Sequence, residues 1–363
     1  MDTTNHMQPI EYAQAAVETM MRNYRASELP PKGRFHYHQG VFLSGVYQTY
    51  LQCGNEAYFK YVKDWVDSVI DEEGNILNRN EGQLDDFQPG ILLYPLYDAS
   101  GDEKYKRTLD KLLPALLEFP KNAEGGFFHK DKNPNQMWLD GLYMVGPISA
   151  EYAARYGKQE YLDCALEQAL LMRERTEDKK TGLWYHAWDY SREAEWADPE
   201  TGLSPEFWGR SIGWVPVAIL DELDFIPPEH PRYQDMCCLV KDLLQAVCRY
   251  QSEEGRWYQV VDKGGKTGNW PENSCSCLYV AALCKAVRKG ILGQEYLEYA
   301  QKGYRAVIQS LSWEGEDIQI GNVCVGTGVG DYQHYCDRPI HVNDLHGVGA
   351  FLIMCAQAQG TLC

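Results

Sequence analysis

Two kinds of apolar patterning alternate along the chain. In the first, apolar residues recur at three- and four-residue spacing while charges fill the opposite face, the signature of an amphipathic helix. EYAQAAVETMMRNY, YFKYVKDWVDSVI, KYKRTLDKLLPALLEF, EYLDCALEQALLMRERT, RYQDMCCLVKDLLQAVC and EYLEYAQKGYRAVIQSL are six such segments. Several lead through a glycine turn into an aromatic, strand-like run, as in KKTGLWYH and EEGRWYQ. In the second kind the segments are apolar on most faces and rich in glycine and aromatics. They begin near Tyr37, Asp86, Gln136, Phe207, Ser274 and Asn343. Helices apolar all round are buried ones. Six half-exposed helices alternating with six buried ones predict a closed all-α toroid, an inner ring inside an outer ring. A helical solenoid is the alternative, but it would leave the buried helices without a partner on its concave face. No Pro/Gly/Ser-rich linker or composition break divides the chain, so residues 1–363 read as a single domain.

Composition narrows what such a toroid can bind. The formal net charge is −18 over 363 residues. That field argues against nucleic acid and anionic membranes as partners, and an anionic substrate would need local cations to overcome it. No apolar run is long enough to span a bilayer. The opening MDTTNHMQPIEYAQAAVETMM lacks both a basic start and a continuous apolar core, so a cytoplasmic location is expected. The twelve cysteines are scattered through helical segments and read as small buried hydrophobes. Cys275-Ser276-Cys277 lacks zinc-knuckle spacing and has no second pair nearby.

Unusual polar and aromatic residues gather where the buried helices begin: FHYHQG (35–40), QLDDFQPG (83–90), NQMWLDGLYM (135–144), EFWGRSIGW (206–214) and HVNDLHG (341–347). Loop segments EGGFFHK and GLWYHAWD add His129, Lys130, His186 and Trp188. Aromatic walls with a few carboxylates, histidines and an arginine suit a sugar, whose apolar ring faces stack while its hydroxyls bind polar groups. Asp140 is the most telling member, a lone acid among Trp138, Leu139 and Tyr143, because burying a carboxylate is costly unless it is paired, hydrogen-bonded or protonated. The bland readings stand beside these. Asp85 and Asp86 suit helix caps, Trp214 suits a core, and Arg210 suits a buried ion pair. His36 and His38 have no histidine–carboxylate trio at metal spacing around them in the sequence. GTGVGD (326–331) lacks the Lys-Ser/Thr ending of a phosphate loop and reads as a tight turn.

Taken in order, FHYHQG, LDDFQPG, FFHK, NQMWLDGLYM, WYHAWD, FWGRSIGW and NDLHGVGAFL resemble the motifs of glycoside hydrolase family 105, the unsaturated rhamnogalacturonyl hydrolases and relatives. The resemblance runs from about residue 35 to the C-terminus, and MWLDGLYM with FWGRSIGW is its most specific part. It implies an (α/α)6 barrel, in agreement with the helix alternation. It also implies a substrate carrying a 4,5-unsaturated uronic acid at its non-reducing end, with no cofactor and no metal. By the resemblance Asp140 is the general acid/base that hydrates the vinyl ether double bond, its pKa raised by apolar neighbours. Asp85 is the second site carboxylate, with Asp86 as the alternative. Tyr37, His129, Lys130, Trp138, His186, Trp208 and Arg210 fall at substrate-contact positions, Arg210 as a fork for the uronate carboxylate and Trp208 as a stacking platform. Phe-Gln in LDDFQPG and Ser-Ile in FWGRSIGW depart from the family's commoner Ile-Asn and Gly-Asn, which bears on the preferred substrate rather than on the reaction class.

Pectin-type disaccharides are the first expectation. The competing readings are an unsaturated glucuronyl hydrolase of glycosaminoglycan or ulvan fragments, an inverting glycosidase using Asp140 and Asp85, a sugar epimerase with paired histidine bases, and a non-catalytic oligosaccharide-binding protein.

Overall fold

The computed structural model describes residues 7–362; the first six residues of the stretch read for an export signal, and Cys363, lie outside them. Six helices carry the amphipathic segments: α1 (Pro9–Asn23), α3 (Glu56–Val69), α5 (Glu103–Leu117), α7 (Gln159–Thr176), α9 (Tyr233–Cys248) and α11 (Leu297–Gln309). Between them run α2 (Tyr37–Cys53), α4 (Leu93–Ser100), α6 (Asp140–Tyr156), α8 (Gly209–Glu222), α10 (Asn273–Arg288) and, after the short α12 (Tyr332–Cys336), α13 (Leu345–Ala358). The difference between the two sets is visible in what they bury. Helix α3 buries one stripe, Tyr58, Tyr61, Val62, Trp65, Val66 and Val69, whereas α6 buries every residue from Gly141 to Ala153.

The second set packs in sequence, with α2 against the 3₁₀ turn Gln88–Leu92 that leads into α4, that turn against α6, then α6–α8, α8–α10, α10–α13 and α13–α2. The ring therefore closes between the first and last of its helices. That closure depends on a bare backbone: a Cβ on Gly349 of α13 would come within 2.6 Å of the Val41 backbone of α2. The architecture is the expected (α/α)6 barrel. One inner element departs from the sequence reading. The segment starting near Asp86 opens as two 3₁₀ turns, Leu84–Asp86 and Gln88–Leu92, before α4 begins. Pro89 cannot donate a backbone hydrogen bond, and Gly90 brings the turn against Ile148 and Leu112.

Strand-like runs form four short antiparallel pairs rather than a sheet. They are β1 (Gln136–Trp138) with β2 (Ala187–Asp189), β3 (Trp257–Tyr258) with β4 (Pro271–Glu272), β5 (Ser312–Glu314) with β6 (Asp317–Gln319), and β7 (Val323–Cys324) with β8 (Ile340–His341). The first pair sets Trp138 opposite Ala187, next to His186 and just before Asp140 opens α6. Cys275 and Cys277 are buried in α10. Among the described residues no helix is long and apolar enough to cross a membrane.

Candidate active site

The starts of three inner helices, α2, α6 and α8, line a cavity of about 370 Å³, with the starts of α10 and α13 outside its lining. His36 caps α2, Asp140 is the first residue of α6, Trp208 caps α8, Glu272 caps α10 and Asp344 precedes α13. Among the lining residues are Tyr37, Asp85, His129, Lys130, Trp138, Asp140, Trp208 and Arg210, eight of the ten residues singled out in the sequence. The other two, Asp86 and His186, stand behind the wall.

Asp140 is held from the rear. His186 Nε2 lies 3.1 Å from Asp140 Oδ2, and His186 Nδ1 lies 2.7 Å from the Tyr335 hydroxyl. The backbone N–H of Gly330 donates to that hydroxyl at 3.3 Å. The directions are self-consistent for a neutral imidazole: Gly330 N–H to Tyr335 O, Tyr335 O–H to Nδ1, Nε2–H to the Asp140 carboxylate. Burial raises the Tyr335 pKa far above the ordinary phenol range, so the hydroxyl keeps its proton. Burial also works to raise the pKa of Asp140. The His186 hydrogen bond, with the nearby His129 and Arg210, outweighs it and holds the carboxyl below the usual range. The expected raised pKa is therefore corrected for the unliganded site, and the reason is specific: the apolar neighbours are present, but the hydrogen-bond partner behind them stabilises the charged form.

Asp85 is a second ionised carboxylate. His129 Nε2 is 3.1 Å from its Oδ1 and Lys130 Nζ 3.4 Å from its Oδ2. Burial opposes ionisation, but His129, Lys130 and His36 together hold its pKa well below the carboxylate range. The imidazole of His129 stacks on Trp138 with ring centroids 4.4 Å apart, and Lys130 Nζ stands 5.4 Å from the same indole. Asp86 is a different kind of residue. It is fully buried and accepts from His36 Nδ1 at 2.5 Å, Gln83 Nε2 at 2.6 Å and the Asn80 backbone N–H at 2.7 Å, with Arg34 at 3.4 Å. Every oxygen of Asp86 is spent on tying the 80s turn to the start of α2, which corrects its placement among substrate contacts.

Two further expectations meet a different geometry. The Arg210 fork is occupied: Nη1 donates to the Cys324 carbonyl at 2.7 Å and to Ser274 Oγ at 3.3 Å, and Nη2 donates to the Val325 carbonyl at 2.9 Å. Glu272 stands 3.8 Å away. Arg210 thus anchors the segment after β7 and adds positive field near Asp140, with three of its five N–H donors engaged. Trp208 donates through Nε1 to Gln259 Oε1 at 3.1 Å, and Tyr335, His186 and Arg210 pack around its ring at 5.8, 4.7 and 4.5 Å. It braces the site rather than presenting a free face. Trp138 and Tyr37 remain as cavity-facing aromatics.

The excursion between β7 and β8 is what sequence reading undervalued. Gly326, Thr327 and Gly328, read as part of a plain turn, line the cavity together with Arg338. Arg338 Nη2 donates to the Gly326 carbonyl at 2.5 Å, and Thr327 Oγ1 lies 2.9 Å from His334 Nε2. Tyr335 belongs to the same excursion. Its only signal in the sequence is the density of Tyr and His in DYQHYCDRP, with no helical or strand period to give it a direction. The structure also brings His38, Asp344 and His346 together, with one ligand-capable atom of each within 4.8 Å of the others. The sequence showed no such trio because His38 lies some 300 residues before Asp344 and His346 and meets them only when the ring closes.

A closed double ring of helices, with a carboxylate-bearing aromatic cavity at the starts of inner helices, defines an (α/α)6 barrel with a cavity of the kind carbohydrate-active enzymes use. The family description of Glycosyl Hydrolase Family 88 matches residues 12–361. The chain belongs to that family and is a glycoside hydrolase. It is 27% identical over 296 residues to the unsaturated rhamnogalacturonyl hydrolase YesR of Bacillus subtilis (strain 168), covering 80% of this chain and 79% of YesR. It is 24% identical over 243 residues to the unsaturated 3S-rhamnoglycuronyl hydrolase of Alteromonas sp. (strain LOR), covering 65% of this chain and 54% of that protein. The solved glycoside hydrolase from family 105 of C. acetobutylicum ATCC 824 superposes with a TM-score of 0.91 at 29% identity, covering 96% of this chain and 99% of that one.

Proposed function

We propose that this enzyme removes a 4,5-unsaturated uronic acid from the non-reducing end of short, lyase-generated oligosaccharides, and that pectin-derived rhamnogalacturonan disaccharides are its first substrate. The observation that carries the reading is Asp140, a cavity carboxylate on the first turn of α6, oriented by His186 and Tyr335. In the reaction the Asp140 carboxyl gives its proton to C4 of the vinyl ether, and water adds its oxygen to C5. Water's remaining proton returns to Asp140, and the resulting hemiketal opens to release the rest of the chain. One carboxyl serves both steps because it is regenerated. Asp85, held ionised by His129 and Lys130, orients the water or a ring hydroxyl. The names of YesR and of the Alteromonas enzyme support an unsaturated uronide.

Arg338 is the cation we assign to the uronate carboxylate. It lines the cavity, and its Nε is buried without a hydrogen-bond partner, whereas Arg210 already spends three donors on Cys324, Val325 and Ser274. The test is a panel of unsaturated disaccharides from pectin, ulvan and glycosaminoglycans, followed by loss of the enol-uronate ultraviolet absorbance. Turnover is expected on the pectin member. Absorbance that persists across the panel, with hydrolysis of saturated glycosides instead, would replace hydration by conventional acid–base cleavage. Asp140→Asn should lose about 10²–10⁴ in turnover. Arg338→Gln should raise KM roughly tenfold with a smaller change in kcat, the scale of one charge-assisted hydrogen bond.

A further inference from the structure

The ring closes where α13 meets α2, and there His38, on the first turn of α2, faces Asp344 and His346 at the start of α13. Hydrogen bonding fixes which atoms of His346 are free. Its Nε2 lies 2.9 Å from the Cys324 carbonyl oxygen, which can only accept, so Nε2 carries the proton. In the neutral ring Nδ1 is then a lone pair, and it lies 2.8 Å from Asp344 Oδ1. His346 is fully buried, and Nδ1 has no hydrogen-bond partner. Two acceptors at that separation repel each other unless a positive centre joins them.

We infer that His38, Asp344 and His346 hold a divalent transition-metal ion of the zinc type. Two imidazoles and one carboxylate are a donor set that suits zinc and its neighbours, whereas calcium and magnesium prefer oxygen alone. With metal–ligand distances of about 2.0–2.2 Å, adjacent donor atoms stand roughly 3–3.5 Å apart, and the three atoms here lie within 4.8 Å of one another. A fourth donor is at hand. His341 Nδ1 is 3.8 Å from Asp344 Oδ2, on a side chain 60% exposed. A separate depression of about 530 Å³, lined by His36, His38, His341 and Asp344 among others, opens the cluster to the outside.

The ion would clasp the first turn of α2 to the first turn of α13, at the seam that completes the barrel. It would also border the sugar cavity, because His38 is among the cavity-lining residues and its Nε2 lies 2.9 Å from the Tyr37 hydroxyl. The site is distinct from Asp140 and takes no part in the proton transfers proposed for it. His38, Asp344 and His346 act here as ligands and positioning residues.

Full-length protein dialysed against a chelator and titrated with ZnCl2 by calorimetry tests the assignment, with Co²⁺ as a spectroscopic probe of the same site. One equivalent of Zn²⁺ should bind, the melting temperature should rise with zinc concentration, and Co²⁺ should develop visible ligand-field bands. His38→Gln, at a half-buried position that tolerates an amide, and Asp344→Asn should each weaken zinc binding at least about tenfold, while His230→Gln leaves it unchanged. Absence of binding below millimolar zinc would overturn the proposal. Binding of undiminished affinity in both His38→Gln and Asp344→Asn would overturn it as well, by placing the metal elsewhere.

Discussion

Asp140 shows how one partner reverses what a local environment would dictate. Its sequence neighbours are apolar, and burial favours the neutral acid, yet the His186 hydrogen bond leaves it ionised in the free enzyme. The acid form that hydration needs must then be restored when substrate arrives. An incoming uronate brings a like charge and displaces water, and both raise a carboxyl pKa. This has a consequence for pH profiles. The kcat/KM profile reports the free enzyme and kcat the complex. The alkaline fall of kcat should therefore lie at higher pH than that of kcat/KM, and coincident limbs would show that substrate leaves Asp140 unchanged. Tyr335 acts one step further back. Tyr335→Phe removes the donor to His186 Nδ1, and the worth of one hydrogen bond sets the expected fall in kcat at about 2- to 12-fold. KM should change little. Asp140 was recognisable in the sequence because an acid in an apolar run is conspicuous. Tyr335 was not, because a tyrosine in a polar loop has no periodicity to say which way it faces.

Among the elements, the inner helices matter for where they start. A helix N-terminus leaves backbone N–H groups unpaired and carries partial positive charge, so the starts of α2, α6 and α8 at the cavity make a setting in which carboxylates and an anionic sugar are favoured. The turn before α4 separates two adjacent acids that the sequence could not tell apart. A 3₁₀ turn rotates successive residues by about 120°, which sends Asp85 into the cavity and Asp86 into the wall. The two should respond differently to mutation. Asp86→Ala strands buried donors from His36, Gln83 and Asn80 and should cost about 3 kcal/mol of stability, seen as a lower denaturation midpoint. Asp85→Asn should lower turnover with a smaller loss of stability; the opposite pattern would exchange their roles. Helix periodicity made these elements legible, while the β7–β8 excursion, held by Arg210, Arg338 and Tyr335 instead of by a regular ladder, was not.

Across the molecule, an acidic protein of net charge −18 sets four basic side chains, Arg34, Lys130, Arg210 and Arg338, against two carboxylates in the cavity lining. That local excess is what an anionic substrate needs from such a surface. The far end of the inner ring carries a contrasting feature. Glu222, at the end of α8, is 1% exposed with Oε2 unpartnered, and burial pushes its pKa up to about 8. A raised carboxyl pKa means the folded state is favoured fully below the unfolded value of about 4.3 and loses that advantage as pH rises through about 8. Glu222→Gln should therefore gain stability over the parent as pH goes from 5 to 8, by on the order of 3 kcal/mol at most. Thermal denaturation of both proteins across that range measures it, and a pH-independent difference would refute it.

The sequence by itself determined the alternation of half-exposed and buried helices, and with it the toroid, because helical burial repeats at short range and leaves its period in the chain. It determined equally that polar and aromatic residues cluster at the starts of the buried helices, and that Asp140 needed a reason to be there. Tertiary structure alone decided how those residues are used. Whether an arginine fork is free or spent on carbonyls, which of two neighbouring aspartates meets the cavity, which proton His186 presents, and whether His38 meets Asp344 and His346 depend largely on partners tens to more than 300 residues away. Such partners become neighbours only when the ring closes, and hydrogen bonds and charges act at distances of a few ångströms that no spacing along a chain records.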